Sequence, residues 1–273
     1  MARRLWYHAR LSLLIAAASV LSSCFPSGTA LSDPTPTGSV GATAQPTWTT
    51  LAPGLEQRTY RPGGDYPLTQ FTALRIDPAL YTFRPHYRPG APLSLNGWQA
   101  ALPDAHALIN ANFFDPQNRA LGLLVVDGAV FGQPYVGRGG LLQVQAGEVR
   151  VRSTILEPYI PGEPLAQAVQ AFPMLVTNNQ ASYTNRRGDF PSRRTIAGQD
   201  SSGRIVLMAT NSLIGMSLVD LSAYLPTTDL DLVNAVNLDG GGSTMMGISV
   251  PGRAPLTIPA FDPVPVVLAV YPR

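Results

Sequence analysis

The sequence contains no lysine, so all 19 of its basic residues are arginine. Without a lysine amine the chain cannot form a Schiff base, and it lacks the lysine of a phosphate-binding P-loop, which excludes pyridoxal phosphate enzymes and P-loop nucleotidases. Any anion that the protein binds through side-chain charge must therefore be held by guanidinium groups. Guanidinium groups match phosphate with two parallel hydrogen bonds.

Cysteine and histidine are also scarce, with one cysteine and three histidines in 273 residues. A single cysteine, Cys24, excludes an intrachain disulfide, and the sequence lacks the cysteines and clustered histidines of a transition-metal site. A Ser-His-Asp triad would need His86 or His106, and no Gly-x-Ser-x-Gly motif surrounds Ser243. These absences disfavour serine hydrolase and transition-metal chemistry, and no cofactor is expected.

The first 24 residues have the pattern of a secretory signal. Three arginines precede the apolar run from Leu11 to Val20, and Leu21-Ser22-Ser23-Cys24 follows it. The run is shorter than the roughly 20 apolar residues of a spanning helix. This arrangement resembles the bacterial lipobox, which implies cleavage before Cys24 and lipidation of its thiol. We therefore expect an exported protein of the bacterial cell envelope, anchored to a membrane through lipidated Cys24.

The charge balance and the next segment limit the partners. Removal of the 3 signal arginines from 19 leaves 16 basic residues against 17 acidic ones, a net charge of −1, so nucleic acid is not an expected partner. Residues 24–47 are rich in Pro, Ser, Thr, Gly and Ala and carry one charge, Asp33, which predicts a disordered tether. The domain organisation is then a signal peptide (1–23), the tether (24–47) and one folded domain (48–273).

The folded part reads as short strands separated by turn signals. Asp127-Gly128 and Ala146-Gly147 each join two apolar runs and predict hairpins. Residues 217–225 have helical spacing with Ser217 as a capping residue. Residues 257–271 form a final strand interrupted by prolines, which predicts an edge position. The expected fold class is α+β, with a single sheet-rich domain, mixed or antiparallel strands and a few short helices.

One stretch, Asn237-Leu238-Asp239-Gly240-Gly241-Gly242-Ser243-Thr244-Met245-Met246, stands out from these strands. It places a carboxylate and three consecutive glycines directly after a buried apolar run. Glycine loses more conformational freedom on folding than any other residue, so three together need either a tight turn or close approach of a ligand. The sequence leaves both explanations open.

Three blocks in order carry a family resemblance over about residues 70–270. The first is Asn110-Ala111-Asn112-Phe113-Phe114-Asp115, with Gly122 and Asp127-Gly128 after it. The second is Arg194-Thr195-Ile196-Ala197-Gly198, with Asp200 and Gly203. The third is Gly215, the helix after it and the glycine stretch. Together they resemble the phosphodiester glycosidase family, and the resemblance implies hydrolysis of a sugar-1-phosphodiester in a phosphorylated glycan.

The resemblance and the residue types together suggest catalytic roles. Asp239 is the predicted catalytic carboxylate, as nucleophile or base, and Arg194 is the predicted phosphate clamp, supported by Arg193. Asp115 is a second carboxylate candidate, although an Asp-Pro turn explains it about as well. A divalent hard-metal site built from Asp115, Asp239 and asparagine carbonyls stays open.

The remaining candidates are expected to bind substrate through neutral donors. Asparagines at the start of the first block would contact the sugar or orient a carboxylate, and glycine amides and hydroxyls would cradle the phosphate. These residues are Asn110, Asn112, Gly240, Gly241, Gly242, Ser243 and Thr244. A non-catalytic, lipid-anchored protein that binds polysaccharide or cell wall is the alternative to the hydrolase.

Overall fold

The computed structural model describes residues 47–273. The predicted signal peptide, Cys24 and all of the predicted tether but its last residue lie outside the described residues. Strands account for 42% and helices for 9% of the structure, and all the strand pairings in residues 47–273 are antiparallel. The expectation of a sheet-rich fold with a few short helices is confirmed, and the single domain stays a prediction.

The largest sheet has eight strands and contains the second sequence block. In spatial order its strands are β1 (Thr49–Ala52), β2 (Leu55–Tyr60), β3 (Phe71–Ile76), β14 (Ile205–Thr210), β13 (Thr195–Asp200), β15 (Leu232–Asn237), β11 (Met174–Thr177) and β12 (Gln180–Ala181). The central strands β14, β13 and β15 are rich in Val, Ile, Leu and Ala, as expected of strands covered on both faces.

Two five-stranded sheets complete the architecture. One has the spatial order β7 (Ala129–Phe131), β6 (Leu124–Val126), β10 (Gln167–Ala171), β8 (Gly140–Gln145) and β9 (Glu148–Ser153). The other has the order β17 (Leu256–Ile258), β16 (Met246–Ile248), β5 (Ala107–Asn110), β18 (Val266–Pro272) and β4 (Tyr81–Tyr87). The hairpins predicted at Asp127-Gly128 and Ala146-Gly147 are the β6–β7 and β8–β9 turns.

Two helices of seven residues lie on the outside of the sheets. Helix α1 (Leu95–Ala101) has Ser94 as N-cap and buries Trp98. Helix α2 (Leu218–Tyr224) has the predicted cap, Ser217, whose hydroxyl accepts the amide of Asp220. Neither helix in residues 47–273 is long and apolar enough to cross a membrane.

The main core lies between the three sheets, and its members alternate along each strand as the period of two requires. In β13, Ala197 faces this core, whereas Ile196 faces the cluster that α2 covers on the other side of the eight-stranded sheet. This alternation decides where the neighbouring arginines point. Odd-numbered residues at this end of β13 face the inner core, and even-numbered ones face α2.

The predicted final strand, residues 257–271, is divided in two. Its first residues belong to β17, which is at the edge of its sheet, whereas β18 is not at an edge, contrary to the prediction from the prolines. β18 pairs with β4 on one side and β5 on the other. Pro263 and Pro265 precede the strand, and Pro272 is its last residue. The interior of β18, residues 266–271, is therefore free of proline and can pair on both sides.

Candidate active site

The polar strand ends meet where the eight-stranded sheet approaches the sheet that contains β5. After β15 ends at Asn237, the Leu238 amide donates to the Thr195 carbonyl (2.8 Å) and the Asp239 amide to the Ala111 carbonyl (3.0 Å). The chain then passes through the glycines and enters β16, which pairs with β5. The segment 238–245, called here the glycine loop, thus bridges two sheets, and the first and second sequence blocks both contact it.

Asn110 fixes the glycine loop from beneath. Its Nδ2 donates to the Asp239 carbonyl (2.6 Å), and its Oδ1 accepts the Thr195 hydroxyl (2.8 Å) and the Met245 amide (3.0 Å). The residue is 1% exposed. Its side chain therefore positions the backbone of Asp239, and its predicted contact with a sugar stays a prediction.

Asn112 is buried to the same extent, 1% exposed, and holds other segments. Its Nδ2 lies within 3.3 Å of the carbonyls of Leu121, Leu123 and Gln170. Its Oδ1 is buried and has no partner in residues 47–273. The amide therefore ties the segment before β6 to β10, beside the candidate site.

Asp239 is the carboxylate at the start of the glycine loop. Burial raises its pKa to about 6, the charge of Asp262 acts in the same direction, and hydrogen bonds from Ser243 and the Gly240 amide oppose the rise. The Gly240 amide donates to Oδ1 at 2.9 Å. A carboxyl group that titrates near neutral pH is suited to proton transfer, and as a carboxylate to nucleophilic attack.

Each of the three glycines occupies a position that is unfavourable for a residue with a side chain, because of a close contact or a positive φ. A Cβ at Gly240 would lie 2.8 Å from the Arg193 carbonyl oxygen, and one at Gly242 would lie 2.1 Å from Oδ2 of Asp262. Gly241 has a φ of +60°, a backbone conformation that residues other than glycine rarely adopt. Two of the three amides predicted to cradle phosphate already donate within the protein, that of Gly240 to Asp239 and that of Gly241 to Arg193.

The hydroxyl residues of the glycine loop are buried beside it. Ser243 is 8% exposed and Thr244 is fully buried. Ser243 hydrogen-bonds to the Asp239 side chain, and the Thr244 hydroxyl has no partner in residues 47–273. Ser243 therefore helps to hold the Asp239 carboxylate, and the predicted contacts of both residues with phosphate stay predictions.

Arg194 points away from the glycine loop, although its backbone adjoins it. A Cβ at Gly240 would lie 3.8 Å from the Arg194 Cα. The guanidinium group faces α2, as its even position predicts, and donates to the carbonyls of Met216 (2.9 Å) and Phe190 (2.8 Å). It also pairs with Asp189 at 3.4 Å. Its charge is thus already balanced on the α2 side of the sheet.

Arg193 has the opposite orientation and no carboxylate partner in the described part of the chain. Its Nη2 donates to the Pro259 carbonyl at 3.1 Å, and its guanidinium carbon lies 4.8 Å from the centre of the Phe261 ring. Burial lowers its pKa. The two adjacent arginines therefore have different environments, one ion-paired and one not.

Asp115 lies in a turn, which is the alternative to a catalytic role that the sequence left open for this residue. Its Oδ1 accepts the amides of Gln117 and Arg119, both at 2.9 Å, and its Oδ2 pairs with the Arg119 guanidinium at 2.7 Å. The Arg119 amide is the largest cause that lowers its pKa. These contacts favour the turn, and a catalytic role for Asp115 stays a prediction.

The model of one protein family matches residues 103–271, more than half of the chain, and its description reads phosphodiester glycosidase. The chain belongs to the phosphodiester glycosidase family. The family resemblance of the three sequence blocks is thereby confirmed.

Two relatives carry the name of one enzyme. N-acetylglucosamine-1-phosphodiester alpha-N-acetylglucosaminidase of Mus musculus is 29% identical over 161 residues, which cover 49% of this chain and 30% of the mouse protein. The chain thus matches less than a third of that relative's length. The catalytic domain of the zebrafish enzyme, auto-inhibited by its pro-peptide, has a TM-score of 0.62 at 18% identity and covers 81% of this chain and 85% of the zebrafish chain.

Other solved structures share the fold at low identity. A hypothetical protein from Synechocystis has a TM-score of 0.59 at 16% identity and covers 84% of this chain and 64% of its own. A candidate exported protein from Burkholderia pseudomallei has a TM-score of 0.56 at 16% identity, with 75% and 74% covered. At these identities the matches establish the phosphodiester glycosidase fold, and nothing about substrate.

The sequence analysis missed an aromatic and cationic group beside Asp239. Burial raises the pKa of the Tyr135 phenol, the charge of Arg138 lowers it, and the charge of Asp239 raises it. Arg138 lies over the rings of Tyr135 and Phe172, at 4.6 and 4.4 Å from their centres, and forms no ion pair in residues 47–273. A second glycine-rich segment, residues 137–140, surrounds Arg138 and was the available signal.

Tyr135 is one of the residues that line a cleft of about 580 Å³. It is lined by aromatic, glycine and polar residues, and Asp115 and Arg119 are among them. Phe131 and Tyr87 pack edge to face within it, with ring centres 5.3 Å apart. A cleft of this size with aromatic walls and a few polar groups is typical of a small-molecule site.

No group of three or more His, Cys, Asp or Glu side chains in residues 47–273 is arranged to hold a metal ion. Asp115 and Asp239 are the carboxylates of the divalent-metal site that the sequence left open. In the structure Asp115 pairs with Arg119, and Asp239 accepts the Gly240 amide. Metal dependence stays a matter for experiment.

Proposed function

We propose that the protein hydrolyses the glycosyl–phosphate bond of a sugar-1-phosphodiester. The observation that carries this proposal is Asp239, a carboxyl group with a pKa of about 6 held at a bridge between two sheets in a member of the phosphodiester glycosidase family. Above about pH 6 the group is a carboxylate, and it can attack the anomeric carbon or remove a proton from the attacking water.

The leaving group explains why this site differs from that of an ordinary glycosidase. A phosphodiester linkage releases a phosphate monoester that is already a stable anion, so protonation of the leaving oxygen by a strong general acid is less important. The site then needs one well-placed carboxylate and a cation for the phosphate. Asp239 is the proposed carboxylate, and Arg193, which has no carboxylate partner in residues 47–273, is the proposed cation.

The surroundings of Asp239 support recognition of a sugar. Asn110 holds the Asp239 backbone in place, so the carboxylate is oriented before the substrate arrives. Tyr135 lines the 580 Å³ cleft and is close enough to Asp239 for the carboxylate charge to act on its phenol. The cleft is the proposed site for the sugar ring or its neighbour in the glycan. The proposed substrate is a phosphodiester-linked glycan of the cell envelope.

A direct assay tests the proposal. The purified protein is incubated with N-acetylglucosamine-1-phosphodiesters of aryl and nucleotide type, and release of the sugar is measured. We expect Asp239→Asn to lower kcat by at least about 1,000-fold, a loss of roughly 4 kcal/mol of transition-state stabilisation. Asp65→Asn, which alters an exposed carboxylate in the β2–β3 connection, is the matched control and should keep wild-type activity.

Two results would contradict the proposal. One is turnover that survives Asp239→Asn unchanged. The other is no turnover across a panel of sugars combined with measurable glycan affinity, which would favour the non-catalytic polysaccharide-binding protein. Isothermal titration with the same sugars decides between an inactive enzyme and a binding protein.

We also propose that the protein is an exported lipoprotein. The support is the signal pattern and Cys24 in the sequence, together with a structural neighbour described as a candidate exported protein. Labelled palmitate should enter the wild type and not Cys24→Ala, and the wild type should sediment with membranes. Equal labelling of the wild type and Cys24→Ala would contradict the proposed lipid anchor at Cys24.

A further inference from the structure

Three arginines are buried in residues 47–273, and they differ in one respect. Arg58, Arg152 and Arg193 are 8%, 8% and 6% exposed. Arg58 pairs with Asp229 and Arg152 with Glu163. Arg193, the least exposed of the three, pairs with no carboxylate of the described chain. Buried charges in proteins are normally paired, because removal of an ion from water is costly.

The hydrogen-bonding groups of Arg193 are also largely unused. A guanidinium has five N–H donors, and only Nη2 has a partner, the Pro259 carbonyl. Nε and Nη1 are buried without a partner in residues 47–273. Each of these two nitrogens shares an edge of the planar group with Nη2, and these are the two edges that bind oxygens of a phosphate or carboxylate side by side.

Arg193 is one of the residues that line a cavity large enough for such an anion. The cavity has a volume of about 190 Å³ and is formed by Arg193, Asn211, Ser212, Leu213, Ile258, Pro259 and Phe261. At about 30 Å³ for a water in the liquid, this is the space of roughly six waters. Within residues 47–273 no acidic residue lines it, and Arg193 is its one charged lining residue.

The cavity adjoins the glycine loop through two backbone contacts. The Arg193 carbonyl accepts the Gly241 amide at 2.8 Å, and the Phe261 amide donates to the Gly242 carbonyl at 2.7 Å. Asp262, which follows Phe261, lies against Gly242 and raises the pKa of Asp239. Asp239 and the Arg193 cavity are therefore attached to the same short loop.

We propose that Arg193 and its cavity bind the phosphate group of the substrate, and that the substituent on this phosphate is apolar. The proposal rests on the proposed function for the identity of the anion. It also divides the arginine pair: Arg193 binds phosphate, whereas Arg194 binds Asp189 and the carbonyls near α2 and stabilises the fold.

The apolar substituent follows from the rim of the cavity. Leu213 is 82% exposed and Phe261 is 64% exposed, and both line the cavity. The neighbouring Ile214 is 50% exposed. Exposed apolar side chains beside a charged pocket favour a ligand with an apolar part next to its anion. A sugar linked through phosphate to an alkyl or isoprenoid-like chain has this arrangement, whereas a nucleotide does not.

Phosphate binding by the purified protein tests the first part without turnover. Isothermal titration with inorganic phosphate gives Kd for the wild type, Arg193→Gln, Arg193→Lys and the control Arg187→Gln, which removes an exposed arginine. We expect Arg193→Gln to raise Kd at least tenfold. Arg193→Lys keeps the positive charge and loses the paired N–H donors of the guanidinium, so it should raise Kd by a smaller factor. The control should have the wild-type Kd.

A Kd in Arg193→Gln or Arg193→Lys within twofold of the wild type, or no phosphate binding by the wild type, would overturn the anion site. Circular dichroism checks that each variant is folded, and Arg193→Lys decides if Arg193→Gln is not. Asp239-dependent hydrolysis with phosphate affinity that is insensitive to Arg193 would contradict this inference alone. Arg193-dependent phosphate binding without any hydrolysis would contradict the proposed function alone.

Monobutyl phosphate tests the apolar part. Each buried methylene should lower Kd about fourfold relative to inorganic phosphate, so a chain that buries two should bind at least tenfold more tightly. Leu213→Ser, at an exposed position, should reduce this gain and leave the affinity for inorganic phosphate unchanged. Equal affinities of the wild type for the two phosphates would overturn the apolar substituent.

Discussion

Asp239 illustrates how burial sets chemistry at the level of one residue. Loss of water around a carboxyl group disfavours its charged form, and the neighbouring charge of Asp262 adds to the effect, so its pKa rises to about 6. Asp115, by contrast, accepts amides and a guanidinium, which lower its pKa. The pKa values of two aspartates that look equivalent in the sequence are therefore shifted in opposite directions.

The pKa of Asp239 predicts the pH dependence of activity. If the carboxylate is the reactive form, kcat/KM should fall tenfold per pH unit below about pH 6, because the protonated form accumulates there. Asp262→Asn removes a negative charge beside Asp239, so its pKa should fall and the acid limb should move to lower pH. The measurement is a pH–rate profile of the wild type and of Asp262→Asn.

Asp104→Asn, at an exposed position remote from the glycine loop in the sequence, is the control for a general change in charge. Its acid limb should coincide with that of the wild type. A limb that stays in place in Asp262→Asn would show that another group controls activity, and a shift to higher pH would contradict the electrostatic argument.

At the level of the element, the start of β13 separates two arginines that the sequence presents as a pair. Successive side chains of a strand point to opposite faces, so Arg194 lies with Ile196 on the α2 side. Asp189 connects this arginine to the helix: its carboxylate accepts the amides of Leu218 and Val219, both at 2.8 Å. Arg194 is therefore part of the attachment of α2 to the sheet.

This attachment predicts a loss of stability in Arg194→Ala. The substitution leaves Asp189, whose side chain is 2% exposed, without its cation, and it leaves two carbonyls without a donor. Removal of one partner of a buried ion pair costs about 3–5 kcal/mol of stability. Because the Arg194 side chain is 12% exposed, we expect a loss of stability at the lower end of this range. Urea unfolding measures it.

Arg187→Ala, in the same loop and exposed, is the matched control and should change stability by less than about 0.5 kcal/mol. Arg194→Ala should leave the Kd for inorganic phosphate near the wild-type value. Unchanged stability together with lost phosphate affinity would instead restore Arg194 as the phosphate clamp.

At the scale of the whole molecule, three sheets share one core, and residues before the family match contribute to it. The match begins at residue 103, yet β1 to β4 lie before it and belong to two of the three sheets. Trp48 packs edge to face on Tyr60 with ring centres 6.2 Å apart and lies 4.2 Å from the Arg75 guanidinium. The folded unit therefore includes Trp48, near the predicted boundary.

Shortened chains test this boundary. A chain that begins at Thr47 should unfold at the same urea concentration as the mature chain and keep its activity. A chain that begins at Gly54 lacks β1 and Trp48 and should lose at least about 2 kcal/mol of stability, by comparison with the truncation of other large core side chains. Equal stability of the two shortened chains would move the boundary past β1.

The sequence by itself determined the local structure and the family. Turn residues such as Asp127-Gly128 and the cap Ser217 act through their nearest neighbours, so hairpins and helix ends could be predicted from them. The three ordered blocks were sufficient for the family. The absence of lysine assigned anion binding to arginine, and the carboxylate after a buried strand marked Asp239.

Only the tertiary structure decided which polar groups meet. Asn110 lies beneath the glycine loop because β5 pairs with β16, and the central place of β18 depends on partners far away in the sequence. Tyr135 and Asp262 carry no local signal of their nearness to Asp239, and the glycines around Arg138 do not show which residues it approaches. Burial, and with it the pKa of Asp239 and the unpaired charge of Arg193, depends on what packs around a side chain, and no window of sequence contains those neighbours.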